Sequence, residues 1–210
     1  MSNFIAKAIC LTLISSSIMC ACGTGKIASD TSTQNATIQT IMKRKSVRSY
    51  TSQKVSDEQI QALLKASMAA PTGRNIQPWR FVVVSDKDIL AKLAESLPYA
   101  KMLTQASVAI VVCGDTTYVK RSTGETVPND LWVHDCAAAT ENLLLAAESM
   151  GLGAVWTAAY PYPERYGAVK AALGIPDRIM PLCVVPIGYP AGNDKPKDKW
   201  KPENVHYNKW

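Results

Sequence analysis

Seven consecutive small or apolar residues, Ser107 to Cys113 (SVAIVVC), constrain this chain most. A run of strand length without polar alternation has to be covered on both faces, which puts it in the middle of a sheet with a layer above and a layer below. The longest helical stretch, Asp130 to Met150, makes a matching demand. Its small and apolar residues, through Ala137–Ala139 and Leu143–Ala147, cover most of the circumference, so it is expected at the centre of the domain or in a subunit interface. At 210 residues the chain holds one such layered domain with a sizeable core and has no room for a second.

The other elements follow from spacing and punctuation. A short helix begins at Thr37, with Ile38, Ile41 and Met42 on one side. Ser56-Asp57-Glu58-Gln59 has the capping-box pattern, and Ile60, Leu63, Leu64 and Met68 keep helical spacing until Pro71. Arg80 to Ser85 reads as a strand and Ser85 to Leu97 as an amphipathic helix. Gly114 to Asn129 is polar and reads as a loop. Gly151 is expected as the C-cap of the long helix, followed by a strand over Leu152 to Thr157 and a helix over Pro163 to Leu173. The last strand, Pro181 to Ile187, carries Pro186 near its end, which favours a sheet edge or a strand terminus. The order predicts an α+β domain of mixed α/β layers. No Gly-x-Gly-x-x-Gly follows the first strand, which argues against a Rossmann dinucleotide site.

The first 22 residues differ in kind. Lys7 precedes an apolar run, Ala8 to Ala21, that is too short to span a bilayer and is laid out like an export signal. Its end, Met19-Cys20-Ala21-Cys22-Gly23, resembles a bacterial lipoprotein cleavage box with Cys22 as lipid acceptor; a soluble secreted protein or an uncleaved anchor are the alternatives. We therefore expect a signal peptide over residues 1–21, lipid attachment and a polar tether over 22–36, and the folded domain over 37–210, held at the cell envelope through the lipid. The tether, GTGKIASDTSTQNA, has almost nothing to bury. The domain keeps Cys113, Cys136 and Cys183, an odd number without a Cys-x-x-Cys pair, which argues against a disulfide framework and against a metal site. The net charge of +6 is spread or gathered near the ends, so no stripe suited to nucleic acid is present.

Three polar clusters could carry chemistry. Arg44, Ser46 and Arg48 lie two apart, so an extended backbone points them one way, and two guanidinium groups with a hydroxyl would make a phosphate receptor; from residue types alone a solvated basic turn after a helix is the better account. In the stretch Ala69 to Val84, the segment Pro71 to Trp79 offers Thr72 and the carboxamides of Asn75 and Gln77, suited to the mixed edge of a heteroaromatic ring or, alternatively, to turn stabilisation. The third is the lysine-rich tail, which also carries Trp200, Tyr207 and Trp210, aromatic groups that need a surface to pack on. The three are expected to converge on one phosphorylated cofactor.

Taken together and in order, RKSVRSY (44–50), APTGRNIQPWRFVVV (70–84), GLGAVWTAAYP (151–161), LGIPD (173–177), IGYP (187–190) and the basic tail resemble the flavin-dependent nitroreductase family, particularly its short members, from about Ile38 to Trp210. The resemblance implies a central mixed sheet flanked by helices, a homodimer with two FMN sites at its interface, and C-terminal arms exchanged between subunits. Carried over by position, Arg44 and Ser46 face the FMN phosphate and Arg48 the pyrimidine edge. Asn75 meets the ribityl chain or ring, and Thr72 and Gln77 line the same pocket. Trp156, Thr157, Ala158 and Ala159 form a strand end whose backbone N–H groups lie near flavin N5 and O4. Lys197 and Lys199 close over the phosphate. Many members have arginine where this chain has Lys199, and Ala158-Ala159 replaces a more usual acidic residue or glycine.

The implied activity is ping-pong hydride transfer from NAD(P)H through FMN to an electron-poor acceptor, a nitroaromatic or a quinone. Such a site needs no protein nucleophile and no metal, so neither His134, expected as a core histidine, nor His206 is required as a base. Reductive dehalogenation or flavin-linked dehydrogenation on the same fold is one alternative. A lipid-anchored module that kept the fold without the cofactor is another.

Overall fold

The structure is a computed structural model and describes residues 35–210. The expected signal peptide, Cys22 and nearly all of the tether lie outside the described residues. Twelve elements are used below: α1 (Ala36–Lys43), α2 (Asp57–Met68), β1 (Trp79–Val84), α3 (Lys87–Ser96), β2 (Val108–Asp115), β3 (Thr117–Val119), β4 (Thr126–Pro128), α4 (Trp132–Ser149), β5 (Gly153–Ala154), β6 (Thr157–Ala158), α5 (Pro163–Leu173) and β7 (Ile179–Gly188). Local chemistry sets many of their ends. Ser56 and Gln59 close a reciprocal capping box at the start of α2, and Asp86 accepts from the N–H groups of Asp88 and Ile89 at the start of α3. Gly151, at φ 71°, ends α4 in a Schellman turn: Leu152 N–H reaches Ala147 O at 2.9 Å and Gly151 N–H reaches Glu148 O at 3.1 Å.

The main sheet runs β1-β2-β7-β5, with β6 also on β7. All of these strand pairs are antiparallel, and the parallel component of a mixed sheet enters through one bridge, Ser46 to Ala154. Strand β2 is buried at every position, and its alternation divides the core. Ala109, Val111 and Cys113 meet Leu90, Leu93 and Val169 on the face covered by α3 and α5. Val108, Ile110 and Val112 meet Leu63, Ala139 and Leu143 on the face covered by α2 and α4. The two-sided burial demanded by the apolar run is met in this way.

Three expectations change, and the burial expected around α4 is met within one protomer along a single stripe. Pro186 does not sit at an edge: β7 lies between β2 and the β5–β6 pair. Its neighbours accommodate it instead. Gly153 pairs with Gly188, Ala154 with Ile187, Thr157 with Val184 and Ala158 with Cys183, so β5 and β6 are one strand in one register. The rungs are missing where Val155 faces Pro186, which has no N–H to give. The polar stretch after β2 is not a plain loop but holds the β3–β4 hairpin, with Tyr118 opposite Val127. Helix α4 buries one stripe, Trp132, Asp135, Cys136, Ala139, Thr140, Leu143, Leu144 and Ala147, while Glu141 stays exposed. His134 is exposed and not a core residue.

All three described cysteines are free and buried. Burial pushes the thiols of Cys113 and Cys183 up to about 12, and that of Cys136 higher still. They are packing groups. The tail beyond Pro190 is exposed throughout, with Trp200 at 71%, Tyr207 at 83% and Trp210 at 100%. Ile38, Ile41 and Met42 of α1 also face outward.

Candidate active site

Between α2 and β1 the backbone is held in an unusual shape. Arg74, Asn75 and Gln77 have φ of 55°, 53° and 54°, in the left-handed region that side chains other than glycine rarely adopt. Each such residue costs on the order of 1–3 kcal/mol unless its surroundings fix it. Here they do. Gly73 N–H donates to Asp135 Oδ1 at 2.9 Å, Gln77 N–H to Thr72 Oγ1 at 3.2 Å, and Gln77 Nε2 to Asn75 Oδ1 at 3.0 Å. A methyl group on Gly73 would stand 2.5 Å from Leu131 Cδ1, so the turn lies directly on the start of α4. Asp135 is 5% exposed, and its Oδ2 has no hydrogen-bond partner among the described residues. Nothing local marks Asp135 as the anchor of this turn; the available signal is a carboxylate inside an apolar helical stretch.

The basic segment after α1 is fixed along the other edge of the sheet. Val47 N–H donates to Ala154 O at 3.0 Å, Thr51 N–H to Tyr189 O at 2.9 Å, and Ala191 N–H to Ser49 O at 2.9 Å. The buried Tyr50 hydroxyl lies 2.8 Å from Val47 O and 3.1 Å from Pro186 O, and burial raises its pKa, so it stays a neutral donor. Lys45 holds Glu148 at 2.9 Å, and Arg44 Nε holds Glu141 at 3.3 Å. The two terminal nitrogens of Arg44, the Ser46 hydroxyl and the Arg48 guanidinium have no partner among the described residues.

Strand β6 continues the same edge. Ala159 N–H is given to Leu182 O at 3.0 Å, which Tyr160 N–H shares at 3.1 Å, so the odd positions of this strand face β7. By alternation the N–H groups of Trp156 and Ala158 face outward. Thr157 turns its hydroxyl onto Val184 O. Ala159 is buried and its N–H committed, which leaves Trp156 and Ala158 as the donors open to a ligand.

The first two clusters lie at opposite edges of the sheet within one protomer. Arg44, Ser46, Arg48 and the outward donors of 156–158 share the β5–β6 edge. Thr72, Asn75 and Gln77 precede β1 at the opposite edge, with β2 and β7 between, which is about 14 Å of sheet at ~4.8 Å per strand. Lys197 and Lys199 lie on the exposed tail. Each half is chemically partial: one offers cations and backbone donors, the other carboxamides. Together they suit an anion attached to a flat ring with a mixed edge.

The position of the basic segment depends on one close approach. A methyl group at Gly153 would stand 2.6 Å from Val47 Cγ1 and 2.7 Å from its Cβ, and Val47 is itself fully buried. Gly153→Ala should therefore push residues 46–48 off the edge, at a cost of roughly 1–3 kcal/mol. Thermal unfolding should show the loss as a lowered Tm. An unchanged Tm would mean that the segment is not seated by this contact.

The nitroreductase family profile matches residues 41–98 and 94–189 of the chain. A crystal structure from Bacteroides thetaiotaomicron, of a protein whose name pairs NADH dehydrogenase with NAD(P)H nitroreductase, superposes with a TM-score of 0.78 at 50% identity, covering 85% of this chain and 100% of that one. An Archaeoglobus fulgidus protein with the same pair of names is 43% identical over 176 residues, 82% of this chain and 98% of the relative. The FMN reductase (NADPH) of Bacillus subtilis is 30% identical over 187 residues, covering 82% of this chain and 73% of its own.

Proposed function

The chain belongs to the nitroreductase family, and from that premise we propose that it is an NAD(P)H-dependent flavin oxidoreductase that holds FMN between two copies of itself. The names of its relatives, FMN reductase and NAD(P)H nitroreductase, support the donor and the cofactor. Bound FMN supplies a hydride acceptor at N5 and returns the electrons to an electron-poor acceptor, for which we propose a nitroaromatic or a quinone.

The observation that carries the dimeric site is the placement of two incomplete halves on opposite edges of one sheet. A twofold pairing brings the β5–β6 edge of one copy to the strained turn of the other, completing two equivalent sites. In this reading Arg44, with two free guanidinium nitrogens, and the Ser46 hydroxyl take the phosphate, and Lys197 and Lys199 close over it from the tail. Arg48 and the carboxamides of Asn75 and Gln77 meet the polar edge of the ring, with Thr72 holding their turn. The outward N–H groups of Trp156 and Ala158 meet the ring at its reactive end, and the small side chains of 157–159 let the backbone come close. Donor and acceptor would bind in turn and not together, so initial-rate plots at several acceptor concentrations should be parallel.

Colour and mass test the reading together. Purified protein is expected to be yellow, to release FMN on denaturation, and to scatter light as a dimer. A colourless protein that takes up no added FMN would leave a binding module as the better account.

A further inference from the structure

Beside the strained turn is a cavity of about 660 Å³. Its floor is Asn75 to Pro78, and its walls are the β3–β4 hairpin and the turn before β7. Five cations line it: Arg74, Arg80, Lys120, Arg121 and Arg178, against one carboxylate, Asp115.

That carboxylate does not neutralise them. Asp115 Oδ1 accepts the N–H and the hydroxyl of Thr117 at 3.2 and 3.1 Å, while Oδ2 lies 3.9 Å from Arg80 and 3.7 Å from Arg178, beyond hydrogen-bond distance of both. Arg80 is tied through one terminal nitrogen to Trp79 O at 2.8 Å, and Lys120 pairs at 3.4 Å with exposed Glu125. Arg74 stands over the Tyr118 ring, 5.5 Å from its centroid, and donates to the Tyr118 hydroxyl. Arg121 and the remaining fork of Arg178 have no partner among the described residues. Each exposed cation alone is worth little in water, and a solvated basic rim would ordinarily be the better account. Several converging on one concave wall create a field that favours a polyanion, and arginine forks match phosphate oxygens.

We propose that this cavity receives the phosphates of the reduced nicotinamide dinucleotide, with Arg178 and Arg121 as the principal contacts and Arg74 steadied by Tyr118. The inference rests on the flavin oxidoreductase reading, because it is the shared wall of Asn75 to Pro78 that puts the cavity next to the reacting ring. Two phosphate groups could be held, the pyrophosphate of either dinucleotide or the 2′-phosphate of NADPH alone.

The test uses flavin-loaded, full-length protein and the double variant Arg121→Ala/Arg178→Ala, with NADPH, NADH and the phosphate-free donor N-benzyl-1,4-dihydronicotinamide. The KM for NADPH should rise about tenfold, the effect of losing two solvent-screened charge contacts, and NADP+ titrated against the flavin absorbance should weaken in parallel. The rate with the phosphate-free donor sets the reference and should hold. A rise for both dinucleotides assigns the pyrophosphate and a rise for NADPH only assigns the 2′-phosphate; either supports the site. An unchanged KM, an equal loss with the phosphate-free donor, a weakened FMN affinity, or a rise confined to an anionic acceptor such as nitrobenzoate would each overturn it. A parent protein that oxidises neither dinucleotide would instead refute the reading beneath it.

Discussion

Cutting the chain after Ala191 is expected to leave a folded, colourless monomer. The cut retains the Ala191 to Ser49 hydrogen bond and the Tyr50 to Pro190 bridge, so the body keeps its own contacts. It removes Trp200, Tyr207 and Trp210, which the protomer leaves almost wholly in water. Aromatic side chains bury 150–250 Å² each when they find a surface, roughly 500 Å² per tail. At about 25 cal/mol per Å² that is on the order of 10 kcal/mol per tail before ordering costs. Association itself costs an estimated ~4–15 kcal/mol, so with the arms exchanged as proposed the two tails would decide whether copies stay together. Flavin should be lost with the partner, because the strained turn and the tail lysines leave the site at once. Light scattering and absorbance on a truncated protein with native circular dichroism check this; a yellow dimer would sink the exchanged-arm arrangement.

Arg44→Ala and Lys199→Ala should each weaken FMN roughly tenfold to a hundredfold, the effect of removing one charge-assisted contact of about 1.5–3 kcal/mol. Riboflavin, which lacks the phosphate, should bind the parent weakly and barely notice either change. The Arg44 to Glu141 pair supplies an internal control. Glu141 is half exposed, so leaving it alone costs little stability, and Glu141→Gln should leave FMN affinity unchanged or tighten it by freeing the whole guanidinium. Lys199→Arg should retain or improve affinity, because it adds a fork. If FMN and riboflavin weakened equally in Arg44→Ala, the arginine would be supporting the fold through α4 and not the phosphate.

What the sequence reveals here is what depends on neighbours along the chain. The double-faced burial of β2, the Ser56 box and the Gly151 turn can all be read from a few adjacent residues. Pro186 could not be placed, because its effect depends on which strand lies opposite, and Val155 is some thirty positions away. The β3–β4 hairpin escaped because the three-residue strands Thr-Tyr-Val and Thr-Val-Pro are too short to show alternation. For the site, residue types and spacing named the polar clusters, yet nothing in Arg44 or Asn75 tells which sheet edge each will occupy. That follows from the order β1-β2-β7-β5, a long-range property, and it puts Arg44 and Asn75 at opposite edges of the sheet in one copy.

The three sealed cysteines bear on how this protein survives oxidation. Burial disfavours the thiolate of Cys113 and Cys183, and only the thiolate attacks peroxides or disulfides at an appreciable rate. Cys113 and Cys183 are therefore slow to be oxidised or glutathionylated, and no surface thiol of the described residues can crosslink two copies by accident.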